Sequence, residues 1–140
     1  MITIRENSLT VVEYLAIRRQ VGWKILKKEQ AKKALENSLY VIAVYEDDTL
    51  VGIGRIVGDG AIICYVQDLI VIPESQGKGI GSAILKKLIG YVEELRQENS
   101  EMMLCLMCAK GREIFYEKHG FQARPTKQLG PGMIQYLGDE

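Results

Sequence analysis

The chain has 140 residues, no net formal charge and a pI near 6.6. That length can bury a core as one domain, residues 1–140, without metal or disulfide staples, and the charge balance supplies no basic field to attract nucleic acid. No apolar run reaches a membrane span and the first residues lack the pattern of a signal peptide; an odd number of cysteines, three, suits a reducing cytoplasm.

Residues 1–5 alternate as an opening strand. Thr10 with Glu13 three positions later makes a capping box, and Val11, Tyr14, Leu15 and Arg18 then occupy the turns of a helix that runs to about Gly22 and Trp23. A second short helix is predicted over about 29–37. Residues 39–45 and 50–57 read as two strands of a hairpin around the polar turn Glu46-Asp47-Asp48-Thr49. Gly58-Asp59-Gly60 turns the chain into a long apolar strand, 61–72. Ile80, Ile84, Leu88, Tyr91, Val92 and Leu95 recur at helical spacing, which predicts a helix over about 79–98. A buried strand at 102–109, a helix at 112–119 closed by Gly120, and strands at 121–123 and 133–137 complete the pattern. Such an order gives one mixed α/β sheet with helices on both faces.

Cys105 and Cys108 form a C-x-x-C inside an apolar run that reads as strand. Odd spacing on a strand points the thiols to opposite faces, so they cannot share a metal or a disulfide. No metal is expected.

The most informative stretch joins the strand 61–72 to the helix beginning near Gly79. A strand, a glycine-rich turn and a helix N-terminus make an anion site, because first-turn N–H groups lack intrahelical partners and glycine lets a phosphate approach the backbone. A P-loop would need a Lys after Gly81, and there is none. A dinucleotide fingerprint would need a third glycine where Ile84 or Ser82 stands. What remains is Gln-x-x-Gly-x-Gly on Gln76, Gly79 and Gly81, directly after a Val-x-Pro.

This loop resembles the acyl-CoA pyrophosphate loop of the GNAT N-acetyltransferase superfamily. About 35 residues further on, Phe115-Tyr116-Glu117-Lys118-His119-Gly120-Phe121 resembles a second segment typical of that family. Val21-Gly22-Trp23, Asn37-Ser38, the strand from Val51 to Arg55, Asp59, Gln67-Asp68-Leu69 and Gly132-Met133 extend the likeness over essentially the whole chain. They are similar to small bacterial GNAT proteins and, more distantly, to plastid arylalkylamine (serotonin) N-acetyltransferases.

The resemblance implies a mostly antiparallel GNAT sheet and acetyl-CoA as co-substrate for an N-acetyltransferase. By position, the backbone of Leu69, Ile70 and Val71 would pair with the pantetheine arm as an added strand. The N–H groups of Gly77, Lys78, Gly79, Ile80, Gly81 and Ser82 would hold the pyrophosphate, Lys78 would add a positive charge, and Gln76 would open the loop. Family habit also implies a homodimer through the last strand. Where many relatives carry an asparagine touching the cofactor arm, this chain has Ala109.

Amide formation needs a neutral amine, a stabilised oxyanion and a proton for the departing thiolate. The resemblance assigns the oxyanion donor to a backbone N–H near Leu69 or Ile70 and the acid to Tyr116. A phenol with reference pKa about 10 stays protonated at neutral pH. Asp68 is the only carboxylate in its strand. It is either the base or a structural aspartate held by Arg55 or a neighbouring strand. Gln67 is a candidate for lining the acceptor cleft, and Trp23 either walls that cleft or plugs the core. Arg55 either binds an acceptor carboxylate or pairs with Asp68 or Asp59. No cysteine sits in a motif for a covalent acetyl-enzyme, so direct transfer to a primary amine of a small molecule or peptide is expected. The alternative is a non-catalytic acyl-CoA-binding module on the same fold.

Overall fold

A computed structural model describes residues 1–139, which fall into two compact units, Met1–Leu106 and the described residues from Met107 on. The first unit contains β1 (Ile2–Glu6), α1 (Val11–Gln20), α2 (Lys28–Glu36), β2 (Tyr40–Glu46), β3 (Thr49–Gly58), β4 (Ile63–Val71), α3 (Ile80–Leu95) and β5 (Met103–Leu106). The strands lie in the order β1-β2-β3-β4-β5, antiparallel except for the parallel pair β4–β5.

The helix boundaries follow from local chemistry. Thr10 Oγ1 accepts from the Glu13 N–H at 3.1 Å, and the Glu13 carboxylate accepts from the Thr10 N–H at 3.0 Å, so the predicted capping box forms. At the other end of α1, Gly22 turns left-handed with φ +77°. Trp23 N–H then returns to Arg18 O at 2.9 Å and Gly22 N–H to Arg19 O at 3.0 Å. This double closure folds Trp23 back over Arg18.

The two faces of the sheet are covered differently. A Cβ placed on Gly54 would come 2.6 Å from Ile84 Cγ2 and 3.0 Å from Leu88 Cδ1, so the glycines of β3 let α3 approach the sheet closely. Ile84, Leu85, Leu88 and Val92 are buried there. The neighbouring residue on β3, Arg55, points to the opposite face, where Tyr14 of α1 lies. One strand thus separates an apolar face under α3 from a face under α1 that carries buried charge.

The second unit holds one short helix, α4 (Glu113–Glu117). The strands predicted at 121–123 and 133–137 do not form among the described residues. Met133, Ile134, Tyr136 and Leu137 form a β-prone apolar run broken by Gln135, but all four apolar side chains are exposed. A strand needs a paired edge as well as an apolar run, and no other strand of this unit exists among the described residues to provide one. The strand predicted over 102–109 is also shorter, closing at Leu106. Cys105 is on β5 and exposed Cys108 lies beyond it, so the alternation argument for the two thiols reaches only the first. Among the described residues no helix is long and apolar enough to cross a membrane.

Candidate functional site

The long strand β4 changes partners half-way along. Arg55 pairs with Asp68 and Ile56 with Val66, leaving Gln67 as one extra residue, a β-bulge. Its effect follows from the faces of β3. Ile56 shares the α3 face with Gly54, so Val66 lies there too, whereas Arg55 and Asp68 lie on the α1 face. The bulge moves β4's even-numbered side chains from one side of the sheet to the other. Pairing with β5 also ends here, at Val66 and Leu106. Beyond it, the side of β4 away from β3 has no strand partner among the described residues.

The hydrogen-bond phase tells which groups are left on that edge. Ile72 N–H donates to Val51 O at 2.9 Å, so Asp68, Ile70 and Ile72 direct their backbone toward β3. Leu69 and Val71 direct theirs outward. Of the two residues expected near the oxyanion, Leu69 presents its N–H on the open edge and Ile70 does not. The Val71 carbonyl accepts from Gln76 Nε2 at 3.0 Å, so Gln76 fastens the following loop to the strand end.

That loop leaves β4 through a single 3₁₀ turn, Pro73–Ser75, and enters α3 through Gly77 and Gly79, with φ +80° and +83°. A Cβ on either would meet nothing within 4 Å, so backbone conformation, not crowding, calls for glycine, and the approach is open. Gly79 is the N-cap of α3 and makes no side-chain cap bond. The first backbone bond within the helix is Ala83 N–H to Gly79 O at 3.1 Å, so the amides of Ile80 and Gly81 precede the ladder. Residues 77–82 therefore present backbone donors at the positive end of a sixteen-residue helix, beside the open edge of β4. Lys78 Nζ lies 3.5 Å from Glu46 Oε2, at the end of β2, and Glu46 Oε1 lies 3.5 Å from Ser75 Oγ.

On the α1 face, Asp68 is completely buried. Its Oδ2 accepts from the Tyr14 hydroxyl at 2.6 Å and from Arg55 Nε at 2.7 Å. Its Oδ1 is 3.6 Å from Arg18 Nη1. Arg55 Nη1 also donates to Ser38 Oγ at 3.1 Å. Burial first, then the Asp68 carboxylate, pushes the Tyr14 phenol up to about 12, so it remains a donor at neutral pH. Arg55 makes the expected pair with Asp68 and is buried inside the layer between sheet and helix. Asp59 has a separate task. Its Oδ1 accepts from the N–H groups of Ala61, Ile62 and Ile63 at 2.8, 2.8 and 3.0 Å, which holds its carboxyl below the usual range. Gln67 is exposed at the bulge. Trp23 is 38% exposed, too open to plug the core, and its ring lies 5.3 Å from the Arg18 guanidinium carbon.

The description of the acetyltransferase (GNAT) domain matches residues 36–123, well over half of the chain and the whole span from β2 through the glycine loop and α4. The chain belongs to the GNAT acetyltransferase family. A probable acetyltransferase from meticillin-resistant Staphylococcus aureus shares 30% identity and superposes with a TM-score of 0.84, covering 97% of this chain and 100% of that one. A GNAT-family acetyltransferase from Streptococcus pneumoniae shares 32% identity at a TM-score of 0.82, covering 99% and 100%. Among curated proteins, an uncharacterised N-acetyltransferase of Prochlorococcus marinus is 30% identical over 85% of this chain. The chain spans 66% of that protein's length.

Within the second unit of this GNAT protein, Tyr116 sits on α4, half-buried between two aromatic rings. Its centroid is 5.1 Å from Phe115 and 5.9 Å from Phe121, edge-on in both cases. Burial, with Cys108 nearby, raises its phenol above the ordinary value. His119 Nδ1 is 2.9 Å from Phe115 O, a local tie just past the helix. Two groups escaped sequence reasoning. Glu46 looked like a turn residue but reaches the glycine loop, and Arg18 looked like one more helix cation but reaches Asp68. The position of Arg18, four residues after Tyr14 on the same helix face, was the one available signal.

Proposed function

We propose that this chain is an acetyl-CoA-dependent N-acetyltransferase that acts by direct transfer to a primary amine. The observation that carries the reading is the meeting, at one end of β4, of an open backbone edge and a glycine-shaped helix N-terminus. The coenzyme supplies the acetyl group as an activated thioester. Leu69 and Val71 are suited to pair with the amides of an extended arm, and the backbone donors of residues 77–82 are suited to a pyrophosphate. Lys78 adds charge, tempered by its pair with Glu46. Leu69 N–H is the donor we assign to the carbonyl oxygen as negative charge develops on it.

Tyr116 is assigned as the acid. Its hydroxyl gives up its proton as the carbon–sulfur bond breaks and a sulfur–hydrogen bond forms, and the phenolate recovers a proton from solvent. Desolvation keeps that proton in place at neutral pH. Asp68 is better suited to orienting Tyr14 and Arg55 than to acting as base, because accepting a proton would disrupt two strong buried bonds. The amine then loses its proton to water.

Calorimetric titration with acetyl-CoA, with ATP as control, tests the donor site. Saturable binding of acetyl-CoA without an ATP response is expected, and Gly79→Val should abolish it while the protein stays folded. A folded wild type that ignores acetyl-CoA would remove the reading. Tyr116→Phe should bind acetyl-CoA as before and lose on the order of a hundredfold in turnover. Unchanged turnover would strip Tyr116 of its role.

A further inference from the structure

The donor site leaves one charged region unexplained. Residues 18–28 contain five cations, Arg18, Arg19, Lys24, Lys27 and Lys28, and no carboxylate, in a chain whose overall charge is zero. Three of them, Arg18, Arg19 and Lys24, line a small surface depression together with Leu15, Ile25 and Leu26. No carboxylate lines it among the described residues.

Arg18 is the centre of this cleft, and the fold builds it in. Its side chain is only 12% exposed. The helix-ending turn brings the Trp23 ring to 5.3 Å from its guanidinium carbon, Tyr14 lies at 5.6 Å, and Nη2 donates to Lys24 O at 3.1 Å. Its charge is nevertheless only partly answered. Asp68 gives both short bonds of Oδ2 to Tyr14 and Arg55, and offers Arg18 an oxygen at 3.6 Å, beyond hydrogen-bond distance. Two guanidiniums against one carboxylate leave a surplus positive charge. The buried Arg18 Nε has no hydrogen-bond partner, and neither has Asp68 Oδ1 across the 3.6 Å gap from Nη1. Buried donors without acceptors are rare, and a surplus cation beside two more at the rim of a cleft is suited to an anion.

The cleft is also tied to the reacting end of β4. Asp68, which Arg18 approaches, directly precedes Leu69, whose N–H lies on the open edge. We infer that the Arg18–Trp23 cleft recognises the anionic group, carboxylate or phosphate, of the amine acceptor, with Leu15, Ile25 and Leu26 taking the carbons beside it. The acceptor class is therefore a small primary amine bearing a negative charge, and polycationic amines are repelled. This assignment rests on the acetyltransferase reading above.

The cleft carries its own reporter, because Trp23 is the single tryptophan of the chain. Fluorescence of the full chain is followed on titration with glutamate, phosphoethanolamine, ethanolamine and spermidine, with acetyl-CoA binding measured in parallel. A saturable change with glutamate or phosphoethanolamine, absent with ethanolamine and spermidine, is expected, and the responding compound tells carboxylate from phosphate. Lys24→Glu, at an exposed position, should weaken that binding about tenfold. In assays of CoA-thiol release it should raise KM for the anionic amine by a similar factor relative to that of a neutral amine. No saturable response to either anionic amine, or an equal response to spermidine, overturns the inference while leaving acetyl-CoA binding intact. Anion binding in a protein that ignores acetyl-CoA overturns the acceptor assignment together with the function it rests on.

Discussion

The two faces of the sheet solve recognition in different ways. Under α3 everything is apolar and close, with Gly52 and Gly54 admitting Ile84 and Leu88, and the result is a helix end whose backbone amides meet the end of β4. Under α1 the interior is polar, with Tyr14 and Arg55 bonded to the completely buried carboxylate of Asp68 and Arg18 at ion-pair distance from it. The donor side uses the backbone, which needs only glycines in the right places. The proposed acceptor side would use side-chain charge, which one substitution can reverse. The bulge at Gln67 links the two, since it opens the edge of β4 and turns Asp68 toward α1.

The sharpest way to break this contrast is Asp68→Ala. It leaves the buried Arg55 guanidinium and the Tyr14 hydroxyl without their shared acceptor, and should destabilise the fold by about 3–5 kcal/mol in urea denaturation. A loss under about 1 kcal/mol would show that the α1 face is wet and its charges are not held by the fold. On the other face, Gly54→Val places a side chain 2.6 Å from Ile84 Cγ2. Pushing α3 off the sheet should cost about 3 kcal/mol and weaken acetyl-CoA binding, because the helix end moves with the helix. Full stability in that variant would mean that the close approach is not what seats α3.

Helix ends and the glycine loop were legible because their signals are local. The Thr10–Glu13 capping box, Gly22 at the end of α1 and the glycines before α3 each announce a backbone conformation within a few residues. The acceptor side depends on contacts across long stretches of chain. Pairing of Arg55 with Asp68 could be weighed only because few partners existed for a carboxylate inside a strand. The bulge was invisible, since residues 63–71 alternate in burial straight through it. Arg18 was hidden for a similar reason, because a helix cation looks alike whether it meets water or a carboxylate fifty residues away. Residues 133–137 show the reverse failure, an apolar run read as strand that joins no edge among the described residues.

The smallest effect isolates a single bond of the α1 face. Tyr14→Phe keeps the ring and leaves Asp68 its bond to Arg55, so at pH 8 it should destabilise by only about 1.5 kcal/mol. Its pH dependence is the more telling result. The phenol is raised in the folded protein from an ordinary 10 to about 12, by burial first and by Asp68 next. A raised folded value means that the stabilisation is fully present below pH 10 and is lost as pH rises toward 12, where the folded form ionises too. Tyr45 also titrates late, its hydroxyl being buried and donating to Glu13 at 2.7 Å, so the wild type alone would mix several groups. The difference between wild type and Tyr14→Phe removes the shared part. That difference should stay flat to pH 10 and then shrink. A difference that holds constant through pH 12 would place the Tyr14 hydroxyl in water, and with it would go the dry polar layer that sets Asp68 and positions Arg18.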